Sequence, residues 1–202
     1  VEDQVARLRE ALDSDAARDV LERYYNGNRI FFGRYTGATM GSKNLANASD
    51  SKKKDVKDQL SKLADKALQL QAYIANPNND QKAEFISPRL GVGANGGYSS
   101  EMITRWDMQE CPPDILITNV AMLNIMLMRE AEKGMLQKTR DWFTAADKAT
   151  DAEKQQAKSE RIFHLIVDEL HLYRGTAGTE VSYLLRMNRR SEERFSRNAE
   201  TD

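Results

Sequence analysis

Cysteine is all but missing from this chain. Cys111 stands alone among 202 residues, so no disulfide can form within the chain, and a reducing compartment fits. Nothing approaches the roughly 20 apolar residues that a membrane-spanning helix needs, and no secretory leader pattern opens the sequence. The expectation is a cytoplasmic protein with no membrane contact. Neither sign of charge dominates: 30 basic residues face 31 acidic ones, for a net charge of −1. That balance neither requires nor excludes a nucleic-acid partner, because binding needs a local basic surface rather than a basic total. Only two histidines occur, His164 and His171. They lie seven residues apart in one extended-looking run, hence on opposite faces, which argues against a shared metal. His164 is expected to be a satisfied core histidine. Cys111, beside Pro112 and Pro113, has no histidine or acid at activating spacing and is given no catalytic role. The Gly-x-x-x-x-Gly-Lys-Ser/Thr phosphate loop is also missing. Gly91, Gly93, Gly96 and Gly97, within residues 87–100, read as a connector rather than a nucleotide cradle.

What is present alternates between helical and strand-like patterns. Val5, Leu8, Leu12, Val20 and Leu21 suggest two short amphipathic helices over residues 1–25, broken at Asp13-Ser14-Asp15 with a new N-cap. The turn Asn26-Gly27-Asn28 leads to an expected strand at 29–35, then to the small-residue loop Tyr35-Thr36-Gly37-Ala38-Thr39. Gly37 is expected to supply a positive φ or a close backbone approach. A helix is expected over about 55–75. Its Val56, Leu60, Leu63, Ala67, Leu70 and Ile74 alternate at four- and three-residue spacing, a narrow coiled-coil type of stripe. Docking by one face on a core is the preferred reading of that helix, and partner binding the second. Residues 101–107 read as a short helix. Residues 114–119 read as a buried strand, and 120–130 as an apolar helix packing Met122, Leu123, Met126 and Leu127 inward. One or two surface helices follow over 134–160, anchored by Trp142 and Phe143, and a last helix is expected over 180–190. At least three buried-type strands with helices between them imply an α/β fold with a parallel sheet flanked by helices.

The chemistry concentrates in Ile162-Phe163-His164-Leu165-Ile166-Val167-Asp168-Glu169-Leu170-His171. A β-branched apolar run reads as a strand buried on both faces, and it ends in two carboxylates and a histidine. Ligands of open α/β sheets bind beyond the carboxyl ends of the strands. There a carboxylate such as Asp168 can hold Mg²⁺ opposite nucleotide phosphates. A neighbour such as Glu169 can orient or deprotonate an attacking water.

Asp168-Glu169-Leu170-His171 resembles motif II, the Walker B box, of superfamily 2 DExH-box helicases. With the extension through Arg174-Gly175-Thr176-Ala177-Gly178-Thr179-Glu180-Val181, it is similar to the large bacterial DExH helicases of DNA repair and anti-phage defence. Val1-Glu2-Asp3-Gln4 resembles the end of motif Ia. Tyr35-Thr36-Gly37 resembles the loop after the next strand, and Pro113 through Asn119 resembles motif Ib. The resemblance implies a partial RecA-like domain of the P-loop NTPase type that takes ATP and Mg²⁺. In it Asp168 coordinates the metal, Glu169 activates water, and His171 couples hydrolysis to a second RecA-like domain. It also implies a nucleic-acid track, DNA rather than RNA, along Gln4, Tyr35, Thr36, Gly37, Thr118, Asn119, Arg174 and Gly175. Further partners would be the rest of the parent helicase and a protein of a defence complex.

The resemblance divides the chain into a RecA-like part, 1–39 and 111–190, an insertion with an amphipathic helix, 40–110, and a polar tail, 191–202. Motif III, the Walker A loop and the second RecA-like domain are not in the chain. The expectation is therefore a piece of a larger motor, inactive in ATP hydrolysis by itself. The alternative is a non-catalytic nucleic-acid-binding or partner-docking module with a helicase-like fold.

Overall fold

The computed structural model describes residues 2–89 and 99–168, together with 178, 179 and 182. The chain divides into two compact units, Val1–Met135 and Leu136–Asp202.

The first unit is built on a three-stranded parallel sheet. Its strands are β1 (Phe32–Tyr35), β2 (Glu101–Met102) and β3 (Ile115–Thr118), in the spatial order β2-β1-β3. Phe32 to Tyr35 pair in sequence with Ile115 to Thr118, and Phe32 and Gly33 pair with Glu101 and Met102 on the other side. The entrance to β1 is also clamped by a side chain, since the Phe31 amide donates to Asp114 Oδ2 at 2.7 Å. Helices α1 (Glu2–Asp13) and α2 (Asp15–Tyr25) precede the sheet. Ser14 is the N-cap between them and accepts from the Ala17 amide. The long α3 (Asp50–Ile74), α4 (Arg105–Glu110) and α5 (Val120–Met128) complete the unit, with 3₁₀ turns at Leu45–Asn47 and Gln81–Ile86. The α/β expectation, a parallel sheet flanked by helices, holds.

The core of this unit is unusually rich in methionine. Tyr35, Met108, Met122, Met126 and Met135 form it, with Met102 and Leu116 packed against them. Unbranched thioether side chains fill the irregular space left where short strands meet short helices. Gly33 is required here: a Cβ on it would sit 2.5 Å from Met108 Sδ and 3.2 Å from the Met102 carbonyl oxygen. Of the four residues expected to face inward on α5, Met122 and Met126 are buried, whereas Leu127 is 41% exposed. The spacing of four residues selects one face, and the apolar character of the other face does not bury it.

The unit boundary falls within α6 (Glu130–Phe143), which is followed by α7 (Asp151–Glu160). In the second unit Phe143 packs edge-on against Trp142 and Phe163, with centroids 4.8 and 5.8 Å away. Arg161 closes the α6–α7 connection. It donates to both carboxylate oxygens of Asp147, at 2.9 and 3.2 Å, and to the Trp142 carbonyl.

Three expectations are corrected. Residues 101–107 begin as β2, and the helix there is α4, starting at Arg105. Residues 161–167 form no strand. Ile162 and Ile166 are 65% and 87% exposed, and His164 is exposed rather than held in a core. A β-branched run has strand propensity, but a strand exists only against a ladder partner, and its burial depends on the layers around it. No strand lies among the described residues of the second unit. Gly37 has no positive φ, and a Cβ there would meet nothing within 4 Å. The left-handed glycine of this region is Gly41, at φ +84°, facing Trp106.

Candidate functional site

All three strands point the same way, so the segments that follow them share one edge of the sheet. Five of the residues expected along a nucleic-acid track gather there. Tyr35 and Thr118 are register partners at the last rung, and the Thr118 hydroxyl donates to the Tyr35 carbonyl at 2.7 Å. Thr36 follows Tyr35. Asn119 follows Thr118 and is the N-cap of α5, its Oδ1 accepting from the Met122 amide at 2.7 Å. Gly37 lies one residue further on and is exposed, as are Ala38 and Asn119.

Tyr35 differs from the others. Its ring has no exposed surface, so it faces the core and not a ligand. Its hydroxyl donates to Glu132 Oε1 at 2.7 Å and accepts from Gln109 Nε2 at 3.0 Å. Burial, reinforced by the neighbouring Glu132 carboxylate, pushes the phenol far above its ordinary ionisation range, against the opposing pull of the Gln109 donor. Any contact made by this stretch of chain therefore falls to Thr36 and the exposed backbone after it.

That backbone is held in one shape. The Thr39 hydroxyl donates to the Arg34 carbonyl at 2.6 Å and accepts from the Thr36 amide at 2.9 Å, while the Thr39 amide donates to the Thr36 carbonyl at 3.1 Å. Arg105 lies over the Tyr35 ring, 5.3 Å from its centroid. Its Nη2 donates to the carbonyls of Thr36 and Gly37, at 2.6 and 3.3 Å. The two carbonyls are thus turned inward, and the Gly37 and Ala38 amides make no hydrogen bond to a described residue. Arg105 is placed in turn by a capping box. Thr104 Oγ1 accepts from the Asp107 amide while Asp107 Oδ2 accepts from the Thr104 amide. The Arg105 amide also donates to the Met40 carbonyl at 2.8 Å.

Sequence reasoning missed Arg105, Thr39, Gln109 and Glu132. The Thr104-x-x-Asp107 spacing was a legible sign of a helix start. The pairing of Tyr35 with Glu132, 97 residues away, left no local sign.

Gln4 is exposed on the first turn of α1. Glu2 on the same turn pairs with Arg34 of β1, which fixes the start of this helix beside the sheet. Asp168 is exposed at a turn. Glu169, His171, Arg174 and Gly175 lie outside the described residues, as does most of the expected 180–190 helix. Among the described residues no cluster of three or more histidine, cysteine or acidic side chains is arranged to hold a metal. Asp168 offers one carboxylate, and protein-bound Mg²⁺ commonly uses only one or two, completing its shell with water and phosphate. Among the described residues, no helix is long and apolar enough to cross a membrane.

The chain is 40% identical over 86 residues to the Druantia protein DruE of Escherichia coli (strain UMEA 4076-1). The matched stretch is 43% of this chain and 4% of that protein. No family model and no solved structure matches the chain.

Proposed function

We propose that this chain belongs to the motor of an ATP-dependent DNA helicase or translocase of the DExH type, working in anti-phage defence. It contributes the Walker B carboxylates and part of a single-strand track. The similarity to the Druantia protein DruE supports the defence setting. The observation that carries the track is the shared sheet edge, where Thr36, Gly37, Thr118 and Asn119 come together beyond two adjacent parallel strands. Small hydroxyls, an exposed turn with free amides and a helix N-terminus suit phosphate contacts that hold a strand without reading its sequence.

In this reading Asp168 would hold Mg²⁺ and Glu169 would orient or deprotonate a water for phosphoryl transfer. His171 transmits the nucleotide state to a second RecA-like domain, and Arg174 and Gly175 extend the track. ATP and Mg²⁺ would supply the phosphoryl-transfer chemistry when bound.

The test is Glu169→Gln in the full-length protein. ATP turnover is expected to fall by at least ~100-fold, the usual scale of a lost general base, with nucleotide binding largely retained. Unchanged turnover would overturn the motor and favour a module that binds without catalysis.

A further inference from the structure

We propose that α3 is a docking seam for an acidic amphipathic helix of another polypeptide. The apolar stripe of α3 alternates steps of four and three over nineteen residues, from Val56 through Leu60, Leu63, Ala67 and Leu70 to Ile74. It therefore occupies the a and d positions of a heptad repeat. Only Val56 is buried in the unit, and the other five stay half-buried. The 3₁₀ turn Gln81–Ile86 packs on α3, and the rest of the seam keeps accessible surface among the described residues.

The flanks say what fits. In this register Lys52, Gln59, Lys66 and Tyr73 fall at g, and Lys57, Ala64 and Gln71 at e. Past the first helical residue no acid stands at either flank, while Asp55, Asp58 and Asp65 fall at the outward c and f positions. Lys52, Lys57 and Lys66 are exposed and have no acidic partner among the described residues. Flank charges choose the partner of a helical seam. Two copies packed seam to seam would set Lys52 of one against Lys57 of the other, so self-pairing is disfavoured. A helix with glutamate or aspartate on its flanks is matched.

A groove beside the seam points the same way. A cavity of about 200 Å³ opens between Leu63 and Lys66 of α3, the 38–40 segment and the 86–88 segment. Its apolar wall includes Met40, Ile86 and Met102. The acids at its rim are already engaged: Glu101 by Arg9, at 2.6 Å, and Glu2 by Arg34. Among the described residues Lys66 is left as a cation without a counter-ion. Ser87, 3% exposed, keeps a buried Oγ with no hydrogen-bond partner among the described residues. A carboxylate on an aliphatic stem would pair with Lys66 and lay its stem on that apolar wall.

The probe is a synthetic helix of about four heptads with leucine and isoleucine at a and d and glutamate at e and g, set against the same helix with lysine at e and g. With the whole chain, the glutamate peptide is expected to bind one to one, more weakly as salt rises, and the lysine peptide at least about tenfold more weakly. Lys52→Glu/Lys57→Glu/Lys66→Glu alters only exposed side chains, so folding is preserved. It is expected to reverse the preference, by about tenfold each way for three flank pairs. Leu63→Asp is expected to abolish binding of both. Equal binding of the two peptides, binding of neither, a chain that dimerises through Leu63 in place of binding, or capture by anionic vesicles instead of the peptide would each overturn the proposal.

Discussion

Tyr35 shows how one side chain can serve the sheet, the core and the site edge at once. Its carbonyl receives the Thr118 hydroxyl, its ring fills the methionine core, and its own hydroxyl donates to one oxygen of Glu132. Glu132 is fully buried, with Arg129 Nε 3.5 Å from its other oxygen. Tyr35→Phe removes the donor and leaves a buried carboxylate oxygen bare, at a cost of about 1–3 kcal/mol. Urea unfolding of the variant measures it. Because the folded state holds the phenol neutral, its contribution is complete below the ordinary tyrosine value of about 10 and is lost as pH rises beyond it. The alkaline limb of a stability profile should be shallower in Tyr35→Phe. The glycines divide just as sharply. Gly41→Ala places a Cβ at φ +84°, 3.1 Å from the Trp106 ring, and should cost at least ~1–2 kcal/mol. Gly37→Ala meets open space and should change stability by less than about 0.5 kcal/mol. A weakened affinity for single-stranded DNA in Gly37→Ala, at unchanged stability, would place the ligand at this turn.

At the scale of elements, what holds the first unit together is a set of side chains that reach across gaps of 70 to 100 residues. Arg9 of α1 ties the bidentate Glu101 and the carbonyls of Phe85 and Ile86. Asp13, at the end of the same helix, accepts from Arg18, from the Ser99 hydroxyl and from the Ser100 amide. Short strands have few ladder bonds, so these polar clamps set where α1 sits. In the second unit the α6–α7 connection depends on the Arg161–Asp147 fork. Arg161, helped by Lys148, holds the Asp147 carboxyl well below the ordinary carboxylate range. A carboxyl with a depressed folded value contributes stability above the unfolded value and loses it as pH falls through the folded one. The fork should therefore persist through mildly acidic solution and break only in strong acid. Arg161→Ala should raise the Asp147 titration, followed by NMR, toward the ordinary range, with Lys148 still holding it lower.

For the molecule as a whole, the open question was where the run from Ile162 to Val167 belongs. Its residues 162–166 are exposed, with Ile166 at 87%. Ile166→Lys should then cost less than about 0.5 kcal/mol in the 202-residue chain. Urea unfolding of the variant measures it, and a cost of several kcal/mol would show the side chain enclosed.

Much of this was legible locally. The Ser14 cap, the Asn26-Gly27 turn, the four-three stripe of α3 and the apolar runs of β1 and β3 are set by neighbours within a turn or a strand, and residues 32–35 and 115–118 paired as their composition suggested. The reading of Asp168-Glu169-Leu170-His171 as a Walker B box rests on sequence resemblance alone. Three-dimensional packing decided the rest. It made Glu101-Met102 a strand because β1 offered an edge, and it left Ile162–Val167 open because the second unit offered none among its described residues. It also turned Tyr35 inward to Glu132 and placed Arg105 under the Thr36–Gly37 turn. Propensity is stored in adjacent residues, whereas burial, ladder partners and buried charge pairs depend on residues far apart in the chain, and only the folded arrangement brings those together.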